Sequence, residues 1–305
     1  MSKILVTGGA GFIGSHVVKM LLERGHEVTV LDNLTTGKME RLLDVIDKIT
    51  FVKGDILDEN LIKKIIKGFD AVVHLAALIS VDESFEKPYL YYLVNSIGTQ
   101  KLLQRSVEAS VDKFVFTSSC AVYGDPIALP IKESHPTNPL SPYAKSKLYA
   151  EKYCKLCAEA NNIKIITFRL FNVYGPSQDL NPYAGVIAQF AKRIRNGNPP
   201  IIYGSGDQTR DFIFVEDVAR YITIALETTA RGVFNIGSGS STSIKQLAEL
   251  ILEIMERNDL PPVFAPRRHG DITHSVADIS LAIRTFSFKP EIGLKEGLKR
   301  TLLQI

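Results

Sequence analysis

Along the first 170 residues, apolar runs alternate with segments whose apolar positions recur every three to four residues. The runs at 3–7, 27–32, 49–53, 70–75, 113–118 and 164–170 read as short buried strands, and the stretches between them as helices. Strands separated in this way by helices predict an α/β fold built on a doubly wound parallel sheet, with ligands at the carboxyl ends of the strands. Phe12 to Arg24 has clear helical periodicity, and Gly25 stands where a left-handed cap would end it. Beyond Asn172 the pattern becomes irregular. Pro176, Pro182, Pro199-Pro200, Pro261-Pro262, Pro266 and Pro290 break it into short elements. The expected division is a sheet domain over 1–170, to which segments near 210–237 return, and a smaller C-terminal lobe over 171–305.

Chemistry enters at the end of the first strand. Gly8, Gly11 and Gly14 follow Ile4-Leu5-Val6 at three-residue spacing, within TGGAGFIG over 7–14. Glycines between a strand and a helix let the backbone turn tightly and let a pyrophosphate approach the N–H groups of the helix N-terminus. This makes the sheet Rossmann-type. Asp32 ends the second strand, eighteen residues after Gly14. A carboxylate there can accept hydrogen bonds from both adenosine ribose hydroxyls and would repel a 2′-phosphate, so NAD is expected rather than NADP. Asp55, in the loop after the third strand, is a candidate for the adenine amino group, although an Asp in a loop is often a turn former.

A second constellation lies in the middle of the chain. Tyr143 is the only one of 11 tyrosines with a lysine four residues on, Lys147. That spacing puts both on one helix face, near an N-terminus marked by Ser141-Pro142. An ammonium beside a phenol, together with the positive end of the helix dipole, is expected to lower the phenol pKa and fit Tyr143 for acid–base work near neutral pH. Ser119 ends the fifth strand, where its hydroxyl could hold the same substrate oxygen.

Composition narrows the class. With 305 residues and 45% hydrophobic content, the chain can bury a substantial core. A net charge of +3 without a basic stripe argues against nucleic acid. The longest apolar stretch, near Ala71 to Val81, contains His74 and Ser80 and is too short to span a bilayer. No signal peptide fits before the first strand, and six scattered histidines give no metal-ligand spacing. Three cysteines point to a reducing, cytoplasmic setting. Cys154 and Cys157 form a CxxC, but inside a helix, where packing is the better reading.

Taken together, these motifs make the chain resemble, over its full length, the extended short-chain dehydrogenase/reductases of the NAD-dependent nucleotide-sugar epimerase/dehydratase group. The matching stretches are TGGAGFIG (7–14), DNLTTG (32–37), GDI (54–56), HLAA (74–77), TSSCAVYG (117–124), SPYAKSK (141–147), FRLFNVYGP (168–176), TRDFIFVEDVA (209–219), NIGSG (235–239) and RHGDITHSVAD (268–278). Within the group it looks most like the UDP-glucose 4-epimerases. The resemblance implies cofactor contacts at Gly8, Gly11, Phe12, Ile13, Gly14, Asp32, Asn33, Thr36, Gly37, Asp55, Ile56, Leu75, Ala76, Ala77, Asn95, Tyr143, Lys147 and Phe171, with Leu78 also near the cofactor. It implies substrate contacts at Ser119, Asn172, Tyr203, Arg210, Arg268 and Asp271, with Arg210 and Arg268 on the diphosphate and Tyr203 against the uracil.

The implied reaction oxidises the sugar at its 4-position, with Tyr143 taking the proton, lets the keto sugar turn, and reduces the other face. Related dehydratases place acids where this chain has Cys120 and Ala121, so elimination of water is not expected. Ser275 stands where relatives restricted to hexoses can carry Tyr, which implies room for a 2-acetamido group. A uronate 4-epimerase, a decarboxylase and a non-catalytic NAD-sensing protein remain alternative readings. Relatives pair through two long helices per subunit, here near 88–110 and 143–160, which implies a homodimer.

Overall fold

The computed structural model describes residues 1–178, 185–267 and 272–303. Six strands arise where the apolar runs stand: β1 (Lys3–Thr7), β2 (Glu27–Asp32), β3 (Ile49–Lys53), β4 (Ala71–His74), β5 (Lys113–Ser119) and β6 (Lys164–Leu170). Shorter strands follow: β7 (Asn172–Tyr174), β8 (Ile201–Tyr203), β9 (Thr209–Arg210), β10 (Phe212–Phe214), β11 (Gly232–Ile236), β12 (Thr242–Ser243) and β13 (Val263–Ala265). Seven of them form one sheet in the order β11-β6-β5-β4-β1-β2-β3. The β1–β2, β2–β3, β1–β4 and β4–β5 pairings are all parallel. Strand order reverses between β1 and β4, the topological switch point at which such sheets bind ligands.

The helix after β1 runs Phe12–Glu23, with Gly11 at its N-cap. It ends as the sequence predicts, with Gly25 at φ +77°. Leu5, Leu31, Val72, Phe114 and Phe116 of the sheet share a core with Leu102 and Leu103 of the Thr99–Glu108 helix and Ala150, Cys154 and Cys157 of the Pro142–Ala160 helix. Both cysteines are therefore packing groups, and burial pushes their thiols up, away from the reactive thiolate.

One element is not visible in the periodicity. Between Pro88–Tyr91 and Thr99–Glu108 the helix relaxes into π geometry over Tyr92–Gly98. Such insertions are rare and commonly mark functional sites.

The chain packs as two units. The first comprises Met1–Val122, Ser141–Arg169 and Val218–Phe234, and the second Tyr123–Leu140, Leu170–Asp217 and Asn235–Ile305. The second unit has its own core, in which Tyr174, Phe190, Ile202, Phe212, Phe214, Leu247, Ile251 and Leu298 are buried. There β7 pairs with β10 in parallel, and β9 pairs with β12 antiparallel.

Candidate active site

The glycine loop of the first unit is shaped by close approach. Gly8 has φ +72°, and a Cβ there would lie 2.6 Å from Ala76 N. A Cβ on Gly14 would lie 2.1 Å from Gly8 O. No side chain caps the helix that begins at Phe12, and its first turn holds no acid. The loop is thus a cradle of backbone beside a positive helix end, which fits an anion such as a pyrophosphate.

At the end of β2, Asp32 is 7% exposed. Its carboxylate accepts from Ala10 N at 2.9 Å and Leu34 N at 2.8 Å. Gly37 approaches so closely that a Cβ there would lie 2.5 Å from Asp32 Oδ1. Asn33 Nδ2 donates to Asp55 Oδ2 at 2.8 Å, and Asp55 Oδ1 accepts from Leu57 N. Ile56 is buried against Gly98. Arg41 was not singled out from the sequence. It is buried, and its Nη1 donates to Ala10 O and Thr36 O, which ties the glycine loop to the 32–37 loop. An isolated arginine in a polar segment carries no local signal of such a role.

A hydrogen-bonded chain crosses the sheet beside these loops. Thr7 Oγ1 lies 2.7 Å from His74 Nδ1, and His74 Nε2 lies 2.8 Å from Thr99 Oγ1. Thr99 gives its single hydroxyl proton to Asn95 O at 2.7 Å. It must therefore accept from His74, so the imidazole carries its proton on Nε2 and accepts from Thr7 on Nδ1. Burial, and then Lys147, push the imidazole down to about 3, so it stays neutral. Thr7 also holds the next loop, accepting from Leu75 N on its carbonyl and from Ala76 N on its hydroxyl. Asn95, in the π turn, accepts from Leu78 N and donates to Leu78 O and Ser146 Oγ. Ala77 lies in the same half-buried stretch as Leu75, Ala76 and Leu78.

Ser146 belongs to the helix that carries Tyr143 and Lys147. Ser141 caps that helix by accepting from Ala144 N, and Pro142 occupies its first turn. Tyr143 and Lys147 are 8% and 4% exposed. Ser119 Oγ accepts from Ala121 N at 3.2 Å, and the Ser119 hydroxyl is near enough to the Tyr143 phenol to pull its pKa down. Lys147 Nζ donates to Thr117 O at 2.9 Å and stands 5.0 Å from the centre of the Phe116 ring.

One expectation needs correction. Burial outweighs the influence of the Ser119 hydroxyl and pushes the phenol up to about 12, rather than down toward neutrality. The same burial brings Lys147 down to about 8, against the pull of the Glu151 carboxylate. Each group is desolvated, which favours its neutral form. Lys147 is not among the groups that shift the phenol; spacing says which residues share a helix face, but it carries no information about solvent.

In the second unit, Phe171 is buried, and its N–H donates to Ile236 O. Asn172 donates from N and Nδ2 to Asp211 O at 3.0 and 3.2 Å. Arg210 Nη1 donates to Thr209 O, and the same carbonyl accepts from Ser275 N at 3.1 Å. Asn172, Arg210 and Ser275 are thereby brought together. Tyr203 ends β8, where its carbonyl accepts from Gln208. Arg268 and Asp271 lie outside the described residues. Asp211, at the centre of this cluster, adjoins Arg210 in the sequence without any local signal of its role. No metal-ligating cluster is present among the described residues, and among them no helix is long and apolar enough to cross a membrane.

The model of the NAD-dependent epimerase/dehydratase family matches residues 4–237. A putative UDP-glucose 4-epimerase of Methanocaldococcus jannaschii is 43% identical over 98% of this chain and 97% of its own length. The crystal structure of UDP-glucose 4-epimerase from Thermotoga maritima with UDP-glucose superposes with a TM-score of 0.95 at 38% identity, covering 99% of this chain and 98% of that one. UDP-N-acetylglucosamine 4-epimerase from Methanobrevibacter ruminantium, in complex with UDP-N-acetylmuramic acid, also gives 0.95, at 41% identity over 99% of this chain and 97% of its own. The chain belongs to the NAD-dependent epimerase/dehydratase family.

Proposed function

We propose that the protein inverts the 4-position of a UDP-hexose, as a UDP-glucose 4-epimerase. The observation that carries this reading is the buried Tyr143 phenol, on which the Ser119 hydroxyl acts, beside a turn over Cys120–Tyr123 that has no acidic residue. Tyr143 is the proton carrier for the sugar 4-hydroxyl, and Ser119 holds the same oxygen. Lys147 supplies the nearby positive charge from a helix whose N-terminus is itself positive. NAD, when bound, supplies a reversible hydride acceptor and a positive charge. With nothing at positions 120 and 121 to protonate a leaving hydroxyl, proton transfer at the 4-oxygen is the chemistry these residues support.

NAD suits the donor set. The uncapped helix end takes the pyrophosphate, Asp32 takes the ribose hydroxyls, and its negative charge would repel a 2′-phosphate. Asn33, Thr36, Asp55 and Ile56 surround the adenosine. Leu75, Ala76, Ala77, Asn95, Phe171 and Lys147 serve the nicotinamide half. Asn172, Tyr203 and Arg210 grip the nucleotide diphosphate, together with Arg268 and Asp271.

The size of Ser275 favours acceptance of UDP-N-acetylhexosamines beside UDP-glucose and UDP-galactose. A homodimer is supported by the apolar surface of the two long helices, where Tyr89, Tyr92, Tyr149 and Leu156 are 74%, 41%, 52% and 63% exposed. The test is to incubate the purified protein with UDP-galactose, UDP-N-acetylgalactosamine and UDP-glucuronate and to separate the products. UDP-glucose formed without net NADH is the expected result. Unchanged UDP-hexoses alongside a changed uronate would overturn the reading.

A further inference from the structure

Asp211 is fully buried in the second unit. Its carboxylate accepts four hydrogen bonds. Oδ1 takes Ser238 N and Ser238 Oγ, each at 2.7 Å, and Oδ2 takes Gly239 N at 3.0 Å and Ala277 N at 3.1 Å. Its own carbonyl accepts both donors of Asn172. Among the described residues no lysine or arginine side chain bonds to the carboxylate. The residue therefore joins three stretches far apart in sequence: β7, the 238–239 turn and the 275–277 segment. Arg210 precedes it directly, and the segment it holds at Ala277 is anchored again at Ser275 by Thr209 O.

We propose that Asp211 is the positioning residue of the diphosphate grip, holding Arg210, Asn172 and the Ser275 segment in one fixed arrangement. The inference rests on the reading of those residues as nucleotide-sugar contacts.

Charge makes the argument sharper. A carboxylate close to residues that receive an anionic diphosphate repels the ligand, so electrostatics alone would disfavour it. Burial pushes the Asp211 carboxyl up from its ordinary range, and the four donors around it hold the ionised form against that push. An amide would turn an NH₂ toward groups that are already donors. Gly237 packs so tightly here that a Cβ would lie 2.6 Å from Asp211 Oδ2, which leaves no space for a shifted partner. Displacement of an orienting group by about 1 Å can cost on the order of 100-fold where geometry is decisive.

The test compares Asp211→Asn, Ser238→Ala and Arg210→Gln with the unaltered protein, reading UDP affinity by calorimetry, KM and kcat for UDP-galactose, retained NAD, and Tm. Asp211→Asn is expected to weaken UDP binding and raise KM roughly tenfold, with kcat within about threefold and NAD retention unchanged. Ser238→Ala, which removes one of the four donors and leaves the backbone intact, shifts UDP affinity the same way by a smaller factor. It decides the matter if the Asn variant does not fold. Unchanged UDP affinity in these variants overturns the inference, and so does parallel loss of kcat, NAD and Tm, which would mark Asp211 as structural only. Unchanged UDP affinity in Arg210→Gln would instead overturn the reading of the grip itself.

Discussion

The two ends of β5 each meet a buried lysine, and the two are handled differently. Lys113, at the start of the strand, is 6% exposed. Its ammonium donates to Ala225 O at 3.2 Å, to Leu226 O and to Thr228 O at 2.6 Å, around the end of the Val215–Glu227 helix. Three donors meet three carbonyls at the negative end of a helix dipole, so the charge is fully employed in holding the fold. Lys147, near the other end, is equally buried but donates to Thr117 O alone and faces an aromatic ring. Its other two N–H groups bond to no other described residue, which suits the role proposed for it. A buried ammonium with every donor engaged is structural, whereas one left partly unengaged is held ready for chemistry at some cost in stability.

The comparison can be broken most directly by Lys147→Met and Tyr143→Phe. Each should lower kcat by about 10²- to 10⁴-fold, the usual worth of a positioned proton carrier and its support. Neither should lower Tm, because Lys147→Met removes a desolvated charge. Steady-state kinetics beside thermal melting would show it, and near-normal turnover in either variant would remove that residue from the mechanism. Lys113→Met should do the reverse. It should lose roughly 1–3 kcal/mol of stability, as the helix-end carbonyls lose their donors, and keep kcat within about twofold. Denaturant unfolding measures the first quantity, and turnover below the transition measures the second.

The smallest effect is in pH. Lys147 titrates at about 8 in the folded chain and near its ordinary 10.5 when unfolded. Between those values the unfolded state binds more protons, so stability rises with pH across that window. Lys113 is also lowered by burial and adds a slope of the same sign. Tyr143, raised to about 12 from 10, acts oppositely, so stability falls as pH rises from 10 to 12. Unfolding curves collected from pH 7.5 to 10 should show a shallower rise for Lys147→Met than for the unaltered protein. Identical slopes would mean that the lysine is not desolvated.

Local patterns account for what could be read in advance. The first six strands, the glycine loop, Asp32 and the Ser119–Tyr143–Lys147 set each depend on neighbours or on helical spacing, and the family motifs extended that to Asn172 and Arg210. Contacts between distant segments left no such trace. Asp211 meets Ala277 across 66 positions, and His74 meets Thr7 across 67. The π turn at Tyr92–Gly98 accompanies the grip of Asn95 on Leu78 and Ser146, which helical periodicity does not reveal. The phenol pKa failed for a related reason: it is set by how much water the fold excludes, a property of the assembled structure.

The threading of the chain between its two units bears on how the protein is made. The chain passes from one unit to the other after Val122, Leu140, Arg169, Asp217 and Phe234. The first unit is therefore not finished when its first 122 residues leave the ribosome, because the Val218–Phe234 segment is still to come. At roughly 5–20 residues per second, that wait is on the order of 10 s. β6 is flanked by β5 on one side, and its other neighbour, β11, is among the last parts of the unit to be synthesised. Throughout that interval the nascent chain carries an uncovered strand edge, the feature most apt to pair with another chain. Biosynthesis should accordingly be most sensitive to chaperone supply and to translation pauses between residues 170 and 234.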